Sequence, residues 1–209
     1  MVATETRATI DVELATTPAV FEDACRLVHD EYVARGYMAP HPSGTRIGWH
    51  QSLPSTRVFV ARHAGRVIAT ISLVPDSVHG MPCDALYPWE LAAMRARGER
   101  IGEVAAFAID ARYRGAGGHT VRALLEAVGV HAVRRAALTT LCITVNPRHT
   151  RFYETRLGFE RFGAIKPCGA VNGAPAVPLR LALARVRLKS LHFARAMNDS
   201  PARSGTEVC

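Results

Sequence analysis

Residues 101–120 read Ile101-Gly102-Glu103-Val104-Ala105-Ala106-Phe107-Ala108-Ile109-Asp110-Ala111-Arg112-Tyr113-Arg114-Gly115-Ala116-Gly117-Gly118-His119-Thr120. The run from Ile101 to Ile109 is apolar except for Glu103, which predicts a central strand. Strand alternation would put Glu103, Ala105, Phe107 and Ile109 on one face. The glycine-rich turn Arg114 to Gly118 then leads into a helix from about His119 to Ala137, with Val121, Leu124, Leu125, Val128 and Ala132 on its apolar stripe. Leu138 to Val145 is the next strand, so the centre of the chain is one βαβ crossover.

Around this crossover the pattern changes. Thr17 caps a helix opened by Pro18, with Phe21, Cys25, Val28 and Tyr32 on one stripe and Gly36 at its end. Tyr37 to Pro54 is a long loop rich in Pro, Gly and His, of the kind that covers substrates. Arg57 to His63 and Val67 to Pro75, separated by Ala64-Gly65, predict an antiparallel hairpin. Pro88 starts a short helix that Gly98 stops, and Pro147 opens another that carries Phe152 and Tyr153 and ends at Gly158. Phe159 to Ile165 and Ala176 to Ala184 are the last expected strands. Hairpins around a single crossover define an α/β chain of mixed α+β layers, not a doubly wound sheet. The expected organisation is an N-terminal extension or edge strand over residues 1–16, one domain over 17–184, and a basic C-terminal segment over 185–209.

Composition excludes several classes. A chain of 209 residues with 48% hydrophobic and 21% charged side chains is neither disordered nor collagen-like, and it is long enough to bury a core without disulfides or metal. No stretch of about 18 apolar residues runs unbroken, so no integral membrane segment is expected, nor a signal peptide. Five scattered cysteines without a Cys-x-x-Cys point to reduced thiols in a cytoplasm. No zinc spacing is present, and no bound metal is expected. The net charge of +8 favours an acidic partner. Nearly all of that charge is arginine, only Lys166 and Lys189 being lysine, and it is spread rather than clustered with aromatics, which argues against nucleic acid.

Glycines after a strand and before a helix let backbone N–H groups approach an anion at the positive end of the helix. His119-Thr120 lacks the lysine of a P-loop, and Thr120 with Asn146 fails the dinucleotide fingerprint. That leaves the phosphate of coenzyme A or phosphopantetheine, or a plain glycine-rich helix cap. The segment Ile109 to Gly117 resembles the acyl-donor motif of the Gcn5-related N-acetyltransferases, written Gln/Arg-x-x-Gly-x-Gly/Ala. In one alignment Arg114 and Gly117 meet it and the last small residue falls on His119. In another, Arg112, Gly115 and Gly117 satisfy it. Asn146-Pro147-Arg148-His149, Phe152-Tyr153 and Leu157-Gly158-Phe159 resemble the second half of that fold, a central mixed and mostly antiparallel sheet flanked by helices.

A narrower resemblance spans about Tyr32 to Leu183. Val58-Phe59-Val60-Ala61, Ile71-Ser72-Leu73, Asp76-Ser77, Leu86-Tyr87-Pro88, Glu103-Val104, Val145-Asn146-Pro147-Arg148-His149 and Val171-Asn172-Gly173-Ala174-Pro175-Ala176 recur in similar order in the N-acyl amino acid synthases (FeeM-like). These are similar to acyl-homoserine lactone synthases. The resemblance implies transfer of a fatty acyl group from acyl carrier protein to the amine of an amino acid. The donor is then an acyl-phosphopantetheine co-substrate, on carrier protein or coenzyme A, with no permanently bound cofactor. It further implies donor binding by Phe107, Ile109, Arg114, Gly115, Ala116 and Gly117, and a tyrosine, Tyr153, that protonates the departing thiolate. Tyr153 also reads as a core aromatic beside Phe152. In both synthase families the glutamate is followed three residues on by arginine, whereas here Ala106 stands.

Glu103 is the expected general base, because a desolvated carboxylate has a raised pKa and an amino acid amine must lose a proton before attack. The competing reading places it at a solvated strand start. The alternative functions are an acetyl-CoA-dependent N-acetyltransferase and a non-catalytic acyl-thioester binding protein.

Overall fold

The computed structural model describes residues 10–114 and 117–185. Its elements are β1 (Asp11–Leu14), α1 (Pro18–Val33), β2 (Arg57–His63), β3 (Arg66–Pro75), α2 (Pro88–Ala96), β4 (Ile101–Ile109), α3 (Gly117–Arg134), β5 (Thr140–Val145), α4 (Pro147–Leu157), β6 (Glu160–Arg161), β7 (Lys166–Cys168) and β8 (Ala174–Ala182). The sheet runs β1-β2-β3-β4-β5-β8-β6, with β7 paired to the start of β8. Every pairing among these strands is antiparallel except β4 with β5, the two joined by the α3 crossover.

Local chemistry sets the turns. The Thr17 hydroxyl accepts from the Val20 N–H at 3.3 Å, and Pro18 occupies the first turn, where its missing N–H costs nothing. Ala64 and Gly65 both have positive φ, the backbone that a two-residue hairpin demands. Asn146 caps α4 through its side chain, and Gly158 ends that helix in the left-handed region.

The sheet carries helices on both sides. Phe59, Leu73, Val104, Leu141, Ile143, Val177 and Leu179 pack with Leu124, Ala127, Val128 and Ala132 of α3 in the main core, which also holds Tyr153 and Phe159. Val58 and Val60 alternate onto the other face and meet Ala24 of α1. Farther along that face Ile101 and Cys142 pack with Tyr87, Leu91 and Met94.

Two expectations need correction. The strand over Phe159 to Ile165 is cut to Glu160–Arg161, and a separate β7 begins at Lys166. At Gly163 the chain crosses tightly over Pro178, Tyr87 and Glu90, where an added Cβ would lie 3.2 to 3.3 Å from all three, and it leaves the sheet there. Nor do Glu103, Ala105, Phe107 and Ile109 share a face. Thr70 pairs with Ala108 but Ser72 with Ala105, so β4 holds one residue more than β3 between those pairs. Ala106 absorbs it at φ 49. This is a β-bulge, and beyond it the alternation is inverted, so that Phe107 and Ile109 pack on the main core with Val104.

Candidate active site

Glu103 sits on the half of β4 that is paired on both sides, opposite Val74 of β3 and Cys142 of β5. It is 2% exposed, which overturns the solvated strand start. One carboxylate oxygen accepts the Cys83 N–H at 2.7 Å. That donor belongs to the short turn Pro82–Ala85, itself held where Arg95 binds Asp76 and Asp84 at 2.7 to 2.8 Å. Burial pushes the Glu103 carboxyl from 4.5 up to about 7, against the hydrogen bonding from Cys83 that favours its ionised form. The same burial, with Glu103 beside it, raises the Cys83 thiol far above its ordinary range, so this thiol is not a nucleophile. Ser72, on the same sheet face opposite Ala105, has a buried hydroxyl with no hydrogen-bond partner among the described residues.

Beyond Val104 the two parallel strands part. Their ladder joins Ile101–Val104 to Thr140–Ile143 and stops, although β4 continues to Ile109 and β5 to Val145. Main-chain groups of β4 from Ala105 onward are therefore left without a ladder partner on the β5 side. Phe107 and Ile109, two of the expected donor-binding residues, lie in this parted half. Arg114 follows the turn Ala111–Tyr113, and Gly117 is the first residue of α3. Gly115 and Ala116 lie outside the described residues.

Glu31 of α1, a residue not singled out by the sequence, stitches this region together. It is 7% exposed, accepts the Ala111 N–H at 2.9 Å through one oxygen, and binds Arg35 (2.8 Å) and Arg114 through the other. Its signal was its place three residues after Val28, where a charge falls on the buried side of the helix.

Tyr153 on α4 is 4% exposed and its ring meets those of Phe152 and Phe159 edge to face. Its ring packs in the main core. Burial and nearby Tyr32 raise its phenol, which stays protonated at neutral pH. Cys25, Cys83, Cys142 and Cys168 are free thiols. Among the described residues no group of three or more His, Cys, Asp or Glu could hold a metal ion, and no helix is long and apolar enough to cross a membrane.

The mixed, mostly antiparallel sheet with its one parallel pair and four helices matches the fold of Gcn5-related acyltransferases, and this protein is an acyltransferase. The profile of the family "N-acyl amino acid synthase FeeM" matches residues 23–182, and the chain belongs to that family. The structure of FeeM, an N-acyl amino acid synthase from uncultured soil microbes, is similar at 29% identity with a TM-score of 0.76, covering 90% of this chain and 98% of that one. The acyl-homoserine lactone synthase LasI is 18% identical with a TM-score of 0.64, covering 84% of this chain and 91% of that one. A CoA-dependent acyl-homoserine lactone synthase, BjaI, solved with SAM and isopentyl-CoA, is 18% identical with a TM-score of 0.64, covering 96% and 95%. These two share the fold. No curated protein matches the chain.

Proposed function

We propose that this acyltransferase moves a long acyl chain from acyl carrier protein to the amine of an amino acid. The observation that carries the reading is the parting of β4 from β5 directly after Val104, next to Glu103. An extended arm bearing amides can add to the free edge of Ala105–Ile109 as a further strand would, and pantetheine is such an arm. Its phosphate then reaches the turn before α3, where Arg114 and the first N–H groups of the helix favour an anion.

Two protons must leave the acceptor nitrogen and one must reach the departing sulfur. The acceptor ammonium loses a proton to Glu103, relayed by water because the carboxyl is buried; the unpartnered Ser72 hydroxyl on the same face is a suitable holder for that water. The amine nitrogen attacks the thioester carbon, the C–N bond forms and the C–S bond breaks; the departing thiolate takes a proton from Tyr153, and the second proton that the new amide nitrogen sheds restores the Tyr153 phenol by way of water. Glu103 lies on the α1 side of the sheet and Tyr153 in the core of the α3 side, with the parted strands between them.

Carrier protein is favoured over coenzyme A by the surface of α4. Arg151, Phe152, Thr155 and Arg156 line an open hollow, and neither arginine has an ion-pair partner among the described residues. The basic segment that the sequence offers for the same purpose, from Arg185 on, lies almost wholly outside the described residues. Carrier proteins present acidic helical surfaces, and steering between opposite charges falls with ionic strength. The test is the N-acylation rate of an amino acid with long-chain acyl carrier protein and with the matching acyl-coenzyme A across a salt series. Carrier protein is expected to win at low salt and to lose part of its advantage at high salt. Equal rates throughout, or a preference for acetyl-coenzyme A, would replace this reading with an N-acetyltransferase.

A further inference from the structure

One region of the molecule gathers positive charge that neither the sheet nor the turn before α3 accounts for. It surrounds the rings of Tyr32 and Tyr37, which meet edge to face at 5.7 Å where α1 runs into the long loop. Arg46 comes back from that loop and lies 5.0 Å over the Tyr32 ring. Its guanidinium is bonded to the Ala170 carbonyl at 3.0 Å and to the Met38 sulfur at 3.8 Å, and to no carboxylate. Arg148, at the start of α4, donates to the Tyr37 hydroxyl at 2.9 Å and to the His149 ring at 3.1 Å, and again to no carboxylate. Among the described residues, Arg46 and Arg148 thus have no carboxylate partner, and Arg35 shares its one acid, Glu31, with Arg114 of the turn before α3.

The neighbours record the same excess. His149 is held below its ordinary pKa by burial and then by Arg148 and Arg35, so it stays neutral and adds no further charge. Arg148 stands in the first turn of α4, the helix that also carries Tyr153. The basic rim therefore adjoins the tyrosine assigned to the departing thiolate. Uncompensated arginines whose forks are spent on neutral carbonyl, sulfur, hydroxyl and imidazole groups retain the charge, and part of the donor set, for an anion.

We infer that Arg46 and Arg148, flanking the Tyr32–Tyr37 pair, bind the carboxylate of the acceptor amino acid. The inference rests on the acyl-transfer reading above and adds the group by which the acceptor is recognised. Two anions compete for such a site, the acceptor carboxylate and the donor phosphate. In an α-amino acid the carboxylate is separated from the nucleophilic nitrogen by a single carbon, so an amine beside Tyr153 carries its carboxylate to the same neighbourhood. The phosphate lies a whole pantetheine arm from the sulfur and belongs near Arg114.

The test is equilibrium binding by calorimetry, with no turnover required. N-lauroyl-phenylalanine is compared with its carboxamide, and phosphopantetheine with pantetheine, on the parent chain and on Arg46→Gln and Arg148→Gln. The parent is expected to prefer the acid over the carboxamide by about tenfold or more, as charge-assisted bidentate contacts provide. At least one variant should erase that preference while leaving the phosphopantetheine preference intact. Equal binding of acid and carboxamide to the parent would overturn the inference. A loss confined to the phosphopantetheine pair would overturn it too, and would assign the rim to the donor. If the acid preference behaves as expected yet no amine is acylated by any donor, the carboxylate site stands and the catalytic reading falls.

Discussion

The two halves of β4 are one continuous strand in sequence and two different environments in space. Ile101–Val104 is laddered on both sides, and Glu103 there is almost without solvent. Ala105–Ile109 is laddered to β3 through a bulge and faces an open edge towards β5. The first half gains rigidity and a perturbed acid, and the second gains main-chain groups free to meet a ligand. One residue in a left-handed conformation, Ala106, separates them. The sheet buries a carboxyl in one half and leaves main-chain groups unladdered in the other by ending the β4–β5 ladder at Val104.

The comparison is broken most forcefully at Glu103. Replacing it by glutamine keeps an acceptor for the Cys83 N–H and removes the ionisation. Loss of a positioned base is expected to lower the N-acylation rate at neutral pH by about 10²- to 10⁴-fold. Stability should move the other way. The carboxyl is raised from 4.5 to about 7 in the folded chain, so the folded state binds its proton more tightly than the unfolded state does. Stability from this group is complete below about pH 4.5 and is lost as pH rises through about 7. Glu103→Gln should therefore be more stable than the parent at pH 8, by up to about 3 kcal/mol, and equal to it near pH 4. Denaturation at both pH values together with the rate decides the matter. A variant that is slower and also less stable at pH 8 would make Glu103 a structural acid.

The open half is sharpened by Glu31→Gln. The Ala111 N–H keeps an oxygen acceptor, but Arg35 and Arg114 lose their shared carboxylate. Because both arginines are partly exposed, the expected loss of stability is only about 1–2 kcal/mol. Freed from α1, the start of the turn before α3 should bind donor less well, with a KM raised up to about tenfold and little change in kcat. A KM that falls instead would show Glu31 competing with the donor for Arg114.

These effects also mark where the sequence was legible. The crossover, the hairpin at Ala64-Gly65 and the caps at Thr17 and Asn146 are local signals, read by rules that need no tertiary knowledge, and the structure has them. The isolation of Glu103 in an apolar run likewise announced its burial. The bulge was not legible, because an alanine at positive φ leaves no mark in composition, and with it went the faces of Phe107 and Ile109. Glu31, Arg46 and Arg148 escaped for another reason: Arg148 lies more than a hundred residues after the other two, and only the folded sheet brings them to one end. Arg148 was visible as part of Asn146-Pro147-Arg148-His149, but its partner Tyr37 was not.

The finest test of the divided strand is Ala106→Gly. A left-handed backbone costs an L-residue about 1–2 kcal/mol, and glycine adopts it without a Cβ clash. Glycine also adds freedom to the unfolded chain, which offsets part of the gain. The net expectation is a stabilisation of about 0.5–1 kcal/mol, read from the denaturation midpoint with an unchanged m-value. Ala106→Val should shift the midpoint the other way, since branching at Cβ suits this region worse than alanine does. Activity should survive in the glycine variant, because the extra residue, and with it the inverted alternation of Phe107 and Ile109, is retained. If glycine lowers the midpoint while valine is tolerated, Ala106 is not held in a left-handed bulge in solution. Glu103, Phe107 and Ile109 would then return to one face, and the division of β4 on which the acyltransferase mechanism rests would fail with it.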